Sequence, residues 1–136
     1  MIEQGTNAAI YNLGSENSLF VAVPNSVAYV ASKHAVLGLS ESLRNDLPDF
    51  IQVGTILPGY VDTPLTDQVE GGMNADKFAE IIKEQIKNKE HIIVSHAYNA
   101  VHIEKRNNEI VFAYEKYAPR YDGDDEYDVK TILSSL

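Results

Sequence analysis

Short apolar runs alternate along the chain with longer stretches in which apolar residues recur at steps of three and four. "AAIYNL" (Ala8 to Leu13), closed by Gly14, reads as a strand buried on both faces. "IQVGTIL" (Ile51 to Leu57), ended by Pro58-Gly59, reads as a second buried strand, and "HIIVS" (His91 to Ser95) as a third. Between the first two, a long helix starts near Ser26 as N-cap and stops before Pro48, because proline drives the preceding residue out of the α region. Val36, Leu39, Leu43 and Leu47 give that helix an apolar face. Ala31, Ala35, Gly38 and Ser42 form a second stripe of small side chains, suited either to tight internal packing or to a helix-to-helix subunit interface. Asp76 to Lys87 carries helical periodicity through Phe78, Ile81, Ile82 and Ile86. Val101 to Tyr117 reads as a further helix with Ile103, Ile110, Val111 and Tyr114 toward the core.

Strand, helix and strand in succession make a βαβ unit, with a parallel pair and a right-handed crossover. The expected class is therefore α/β, with about three strands and flanking helices. The polar stretches "GSENSLFVAVPN" and "GYVDTPLTDQVEGGMN" are loops. Residues 118–136 are acidic and read as an extended tail on a single domain covering 1–136. No internal repeat is present.

Composition narrows the chemistry. With 136 residues the chain can bury a true core, about two-thirds of its unfolded surface. The formal net charge of −9, with no cluster of Lys or Arg, argues against nucleic acid and anionic membrane surfaces as partners. There is no cysteine, which removes disulfides and thiolate metal sites and fits a cytoplasmic setting. The first residues lack the basic start and apolar run of a signal peptide, and no apolar stretch nears the roughly 20 residues that span a bilayer.

The sharpest chemical signal is "SVAYVASKHAV" (Ser26 to Val36). Residues four apart on a helix share a face, about 6 Å apart at Cβ, so Tyr29 and Lys33 point into the same space. A free phenol, with a pKa of about 10, is a poor acid–base catalyst near neutrality. A nearby ammonium favours the phenolate, and a hydroxyl can hold a carbonyl beside it. Ser15 lies just past the first strand, at the edge where open α/β sheets place their ligands. Ser18 is an alternative for that hydroxyl and stands nearer Tyr29 in sequence.

Taken together, "IYNLGSENSLF", "AYVASKHAVLGLSESLRNDL" and "IQVGTILPGYVDTPL" resemble the catalytic half of the short-chain dehydrogenase/reductase family, over at least residues 8 to 66. The Tyr-x-x-x-Lys in its A-Y-x-A-S-K setting, the upstream serine and P-G-x-V-x-T-P occur in the family's order and approximate spacing. The resemblance implies the C-terminal half of a Rossmann-like doubly wound parallel sheet. It also implies NAD(P)-dependent interconversion of a small-molecule alcohol and carbonyl. Tyr29 would exchange the proton with the substrate oxygen, and Lys33 would tune it and bond the nicotinamide ribose. Ser15 would hold the substrate oxygen. Pro58, Gly59, Val61 and Thr63 would contact the nicotinamide end of NAD or NADP, and the loop from Tyr60 to about Asn74 would close over the substrate.

The N-terminal βαβ half that grips the pyrophosphate is not represented. None of the eight glycines composes a G-x-G-x-x-G or G-x-x-x-G-x-G turn. Only 14 residues precede Ser15, where one nucleotide-binding unit takes about 30. The expectation is a truncated chain, with Met1 an internal methionine of a longer sequence or the start of a truncated gene. Its first strand would form an open sheet edge, and the chain would form a homo-oligomer or need a partner. The competing expectation is a non-catalytic remnant that self-associates or binds a partner. No metal site is expected. His91, His96 and His102 have no ligand spacing, and "DGDDEYD" (122–128) has Tyr127 where a calcium loop needs glycine.

Overall fold

The computed structural model describes residues 1–66 and 70–134. Strand β1 (Ala8–Leu13) leads through a 3₁₀ turn (Glu16–Ser18) to helix α1 (Val27–Asp46), then to β2 (Ile51–Leu57). Helix α2 (Ala75–Lys87), strand β3 (Ile92–Val94), helix α3 (Asn99–Tyr117), a 3₁₀ turn (Asp124–Tyr127) and helix α4 (Val129–Ser134) follow. The three strands form one parallel sheet in the order β1-β2-β3. All three strands and the three longer helices fall where the hydrophobic pattern places them, and α/β with a three-stranded parallel sheet is the fold.

Local chemistry sets the boundaries. Leu47 ends α1 in an extended conformation ahead of Pro48, its N–H still donating to the Leu43 carbonyl at 3.0 Å. Asn74 caps α2 by accepting from the N–H groups of Asp76 and Lys77. Ser26 precedes α1 without a side-chain cap; its hydroxyl donates to the Pro24 carbonyl instead.

The core sits on the central strand. Ile51, Val53 and Leu57 of β2 and Ile93 of β3 are its buried apolar residues. Each such burial contributes about 1.5–3 kcal/mol. Adjacent residues of β1 face opposite ways, and each meets a different helix. Asn12 donates to Ser40 of α1 at 3.0 Å, while the Tyr11 hydroxyl donates to the Ile86 carbonyl of α2 at 3.3 Å. The two helices thus cover opposite faces of the sheet. Both crossovers step the same way across parallel strands, so they have opposite hands, and only one can follow the right-handed rule.

β1 is half-exposed rather than buried on both faces, with Leu13 59% accessible. The reason is its position, since among the described residues it pairs with β2 alone. Ala8 and Gly14 donate toward β2, so the alternate groups of Ala9, Tyr11 and Leu13 face outward. The outer edge of β3 is covered differently. The Gln85 amide donates to the Val94 carbonyl at 2.7 Å and accepts from its N–H at 3.0 Å.

Two expected core faces are corrected. Leu39 of α1 is exposed, and Ser40 is the buried residue of that helix. Ala31, Ala35, Gly38 and Ser42 are also exposed, so the small stripe is not packed within the chain. On α3, Ile110, Val111 and Tyr114 are exposed. Apolar spacing identified that helix but not a covering element.

The chain divides into two compact units, Met1–His102 and Ile103–Leu136. In the second, the stretch expected as an extended acidic tail holds helical turns. Gly123 adopts a left-handed φ of 84° at the start of the 3₁₀ turn, and Arg120 pairs with Asp124. Asp128 accepts from the Thr131 N–H and hydroxyl at the start of α4. These bonds hold its carboxyl below the usual range.

Candidate active site at the C-terminal strand edge

Three loops leave the C-terminal ends of the strands and converge. After β1, the turn begins at Ser15. Its N–H donates to the Ser18 hydroxyl at 3.2 Å, and its own hydroxyl accepts from the Asn17 N–H at 3.2 Å. Ser15, Asn17 and Ser18 are all buried. Asn17 organises the next residues as well, because its side-chain oxygen accepts from the N–H groups of Ala22 at 2.9 Å and Val23 at 3.2 Å. Gly14 lets this turn approach β2. A Cβ there would stand 2.9 Å from both Leu57 Cδ2 and the Ser18 hydroxyl.

The Tyr29–Lys33 pair lies on the first turns of α1. The Lys33 ammonium is 5.7 Å from the centroid of the Tyr29 ring and donates to the Leu13 carbonyl at 3.1 Å. Helical spacing therefore brings the two side chains together, and the lysine ties them to the end of β1, two residues before Ser15. Tyr29 is 44% exposed. An ammonium has three donors, so one bond to Leu13 leaves two for a ligand.

After β2, the Pro58 carbonyl accepts from the Glu16 N–H at 2.7 Å, which joins the second loop to the first. Val61 bridges Met73, and the Thr66 hydroxyl folds the next turn by accepting from the Thr63 N–H at 2.8 Å. Pro58, Gly59, Val61 and Thr63 are half-buried. Residues 67–69 of the loop expected to close over the substrate lie outside the described residues.

The third loop, after β3, carries His96, which has no metal-ligand spacing in the sequence, and Tyr98, to which the sequence assigns no role. His96 bonds the backbone of Gly59 and Tyr60. The Tyr98 hydroxyl donates to the Glu16 carboxylate at 3.1 Å. Burial of the phenol, and then the Glu16 charge, push its pKa up. A tyrosine two residues past a histidine carries no motif. The only available signal was position, just beyond a strand's C-terminal end.

The donor set suits the nicotinamide-ribose end of a dinucleotide, with a cation and a phenol side by side at this edge. Among the described residues no group of three His, Asp or Glu is placed to hold a metal ion, and no helix is long and apolar enough to cross a membrane.

The fold is a Rossmann-like α/β arrangement, with the tyrosine–lysine pair at the C-terminal edge of its parallel sheet. The family model described as short chain dehydrogenase matches residues 1–74, and the chain belongs to that family. It is 45% identical over 69 residues to the short-chain dehydrogenase fogB of Aspergillus ruber, covering 50% of this chain and 25% of that protein. It is 43% identical over 74 residues to the NADP-dependent (R)-specific alcohol dehydrogenase of Lentilactobacillus kefiri, covering 52% and 29%. The apo form of LigO from Sphingobium sp. strain SYK-6 superposes with a TM-score of 0.72 at 26% identity, over 98% of this chain and 50% of that one. The matched region thus spans about a quarter of the length of these curated relatives and half of the solved structure.

Proposed function

We propose that the chain carries the proton-transfer half of a short-chain dehydrogenase site for alcohol/carbonyl interconversion. The observation that carries this reading is the Lys33 ammonium, held by the Leu13 carbonyl beside the Tyr29 ring. A bound NAD or NADP supplies or accepts the hydride. In the reducing direction the Tyr29 hydroxyl gives its proton to the substrate oxygen as the carbonyl carbon gains hydride. In oxidation the phenolate takes that proton back. The Lys33 cation stands beside the phenol ring and keeps two donors for the ribose hydroxyls. Ser15 holds the substrate oxygen. It is preferred to Ser18, which is the more deeply buried of the two. Pro58, Gly59, Val61 and Thr63 line the nicotinamide end. The similarity to an NADP-dependent alcohol dehydrogenase supports a small alcohol or carbonyl as substrate. The absence of cysteine supports a cytoplasmic setting.

Tyr29→Phe removes the transferable proton and keeps the ring. Turnover of a ketone with NADPH should fall about 10²- to 10⁴-fold, with an unchanged circular dichroism spectrum. Full activity in that variant would end this reading.

A second reading is a module that acts by association. The outward backbone groups of Ala9 and Tyr11 on β1 and the exposed stripe Ala31, Ala35, Gly38 favour it. Sedimentation separates the two. A monodisperse monomer that binds dinucleotide supports the enzyme alone, and an oligomer without dinucleotide binding supports the module.

A further inference from the structure

We infer that His96 is a positioning residue, which fixes the backbone of the Gly59–Tyr60 turn through both ring nitrogens. His96 Nε2 lies 3.1 Å from the Tyr60 carbonyl, and Nδ1 lies 3.1 Å from the Gly59 nitrogen. A carbonyl oxygen can only accept, so Nε2 must carry a proton. A backbone N–H can only donate, so Nδ1 must be bare. The two partners therefore select one tautomer, and the imidazole acts as a rigid clasp over the two residues Gly59 and Tyr60. The Ser95 hydroxyl, 2.7 Å from Nδ1, converges on the same nitrogen and holds the ring plane. Tyr98 packs edge-on against the ring, with centroids 5.6 Å apart.

The clasp also accounts for the glycine. Gly59 does not have a positive φ, so no left-handed turn requires it. A Cβ there would sit 2.5 Å from His96 Cγ and 2.7 Å from Nδ1. Gly59 is small because the imidazole occupies the space a Cβ would take. Proline at 58 restricts the chain just ahead of these two residues.

The functional consequence rests on the proposed reading, in which this turn lines the nicotinamide end. His96 touches neither cofactor nor substrate in that scheme. It acts through the turn, by presenting Gly59 and Tyr60 in one geometry before any ligand arrives. Pre-organisation of this kind shows in cofactor affinity rather than in the proton-transfer step.

The test has a structural arm and a binding arm, both on the full chain. In the wild type, ¹⁵N-resolved imidazole spectra should show His96 with Nε2 protonated and Nδ1 bare; the opposite tautomer would overturn the clasp. His96→Phe keeps the ring shape and loses both bonds. Hydrogen exchange at the Gly59 amide should then accelerate by roughly tenfold, the scale of one lost hydrogen bond. Unchanged exchange would overturn the clasp. His96→Gln offers a donor and an acceptor and should recover part of the protection, and it replaces the Phe variant if that fails to fold. In the binding arm, NADH affinity followed by fluorescence should drop about fivefold in His96→Phe and recover partly in His96→Gln. Faster Gly59 exchange with unaltered NADH affinity would overturn the positioning role. No NADH binding by the wild type would remove the dinucleotide reading, while the exchange and tautomer results still decide the clasp.

Discussion

Asn17→Ala would remove the side chain that organises the loop behind β1. Asn17 is 2% exposed, and its oxygen accepts two backbone N–H bonds, from Ala22 at 2.9 Å and Val23 at 3.2 Å. Its amide nitrogen makes a third, longer bond to the Ser15 hydroxyl at 3.4 Å. A net contribution of about 1 kcal/mol for each good bond, plus a penalty for polar groups left unpaired, gives a loss of about 2–3 kcal/mol. For a domain of this size that lowers Tm by about 8–12 °C. Ser18→Ala is the natural comparison, because its hydroxyl accepts one such bond, from the Ser15 N–H. It should cost about 1 kcal/mol. Urea denaturation followed by circular dichroism gives both values. The reasoning fails if Asn17→Ala lies within about 0.5 kcal/mol of the wild type, or costs no more than Ser18→Ala.

Gly59→Ala should destabilise the chain by about 1–3 kcal/mol through its clash with the imidazole. Combined with His96→Ala the cost should shrink, and strict additivity in chemical denaturation would contradict the contact. Gln85→Ala uncovers the outward N–H and carbonyl of Val94. It should cost about 1–2 kcal/mol and raise concentration-dependent association in sedimentation; unchanged values for both would count against edge covering. Tyr98 holds its proton more tightly in the folded chain, because burial and the Glu16 charge disfavour the phenolate. This stabilisation is complete below the ordinary phenol pKa and is lost as pH rises through the folded value. Tyr98→Phe should therefore flatten the alkaline decline in Tm, and an identical decline in both proteins would refute the assignment.

The fold was legible wherever local chemistry sets the outcome. The apolar runs at Ala8, Ile51 and Ile92 became strands, and Pro48 ended α1. Burial was less legible, because it depends on neighbours rather than on spacing. β1 has the composition of a central strand but, among the described residues, pairs with β2 alone. Ile110 and Tyr114 keep helical spacing but are exposed. At the site, Tyr29 and Lys33 could be paired from sequence, because four residues make one helical turn. Asn17, His96 and Tyr98 could not, because their partners come from loops 36 or more residues away or from bonds to backbone that any polar residue can make.

The most direct test of the central claim is an equilibrium fluorescence titration of the wild-type chain and of Lys33→Met with NADH and NADPH. Saturable binding at micromolar concentration in the wild type, weakened at least tenfold in the variant, is the predicted result, with the tenfold loss corresponding to about 1.4 kcal/mol. Absence of saturation up to millimolar dinucleotide, or equal affinity in the two proteins, would contradict it.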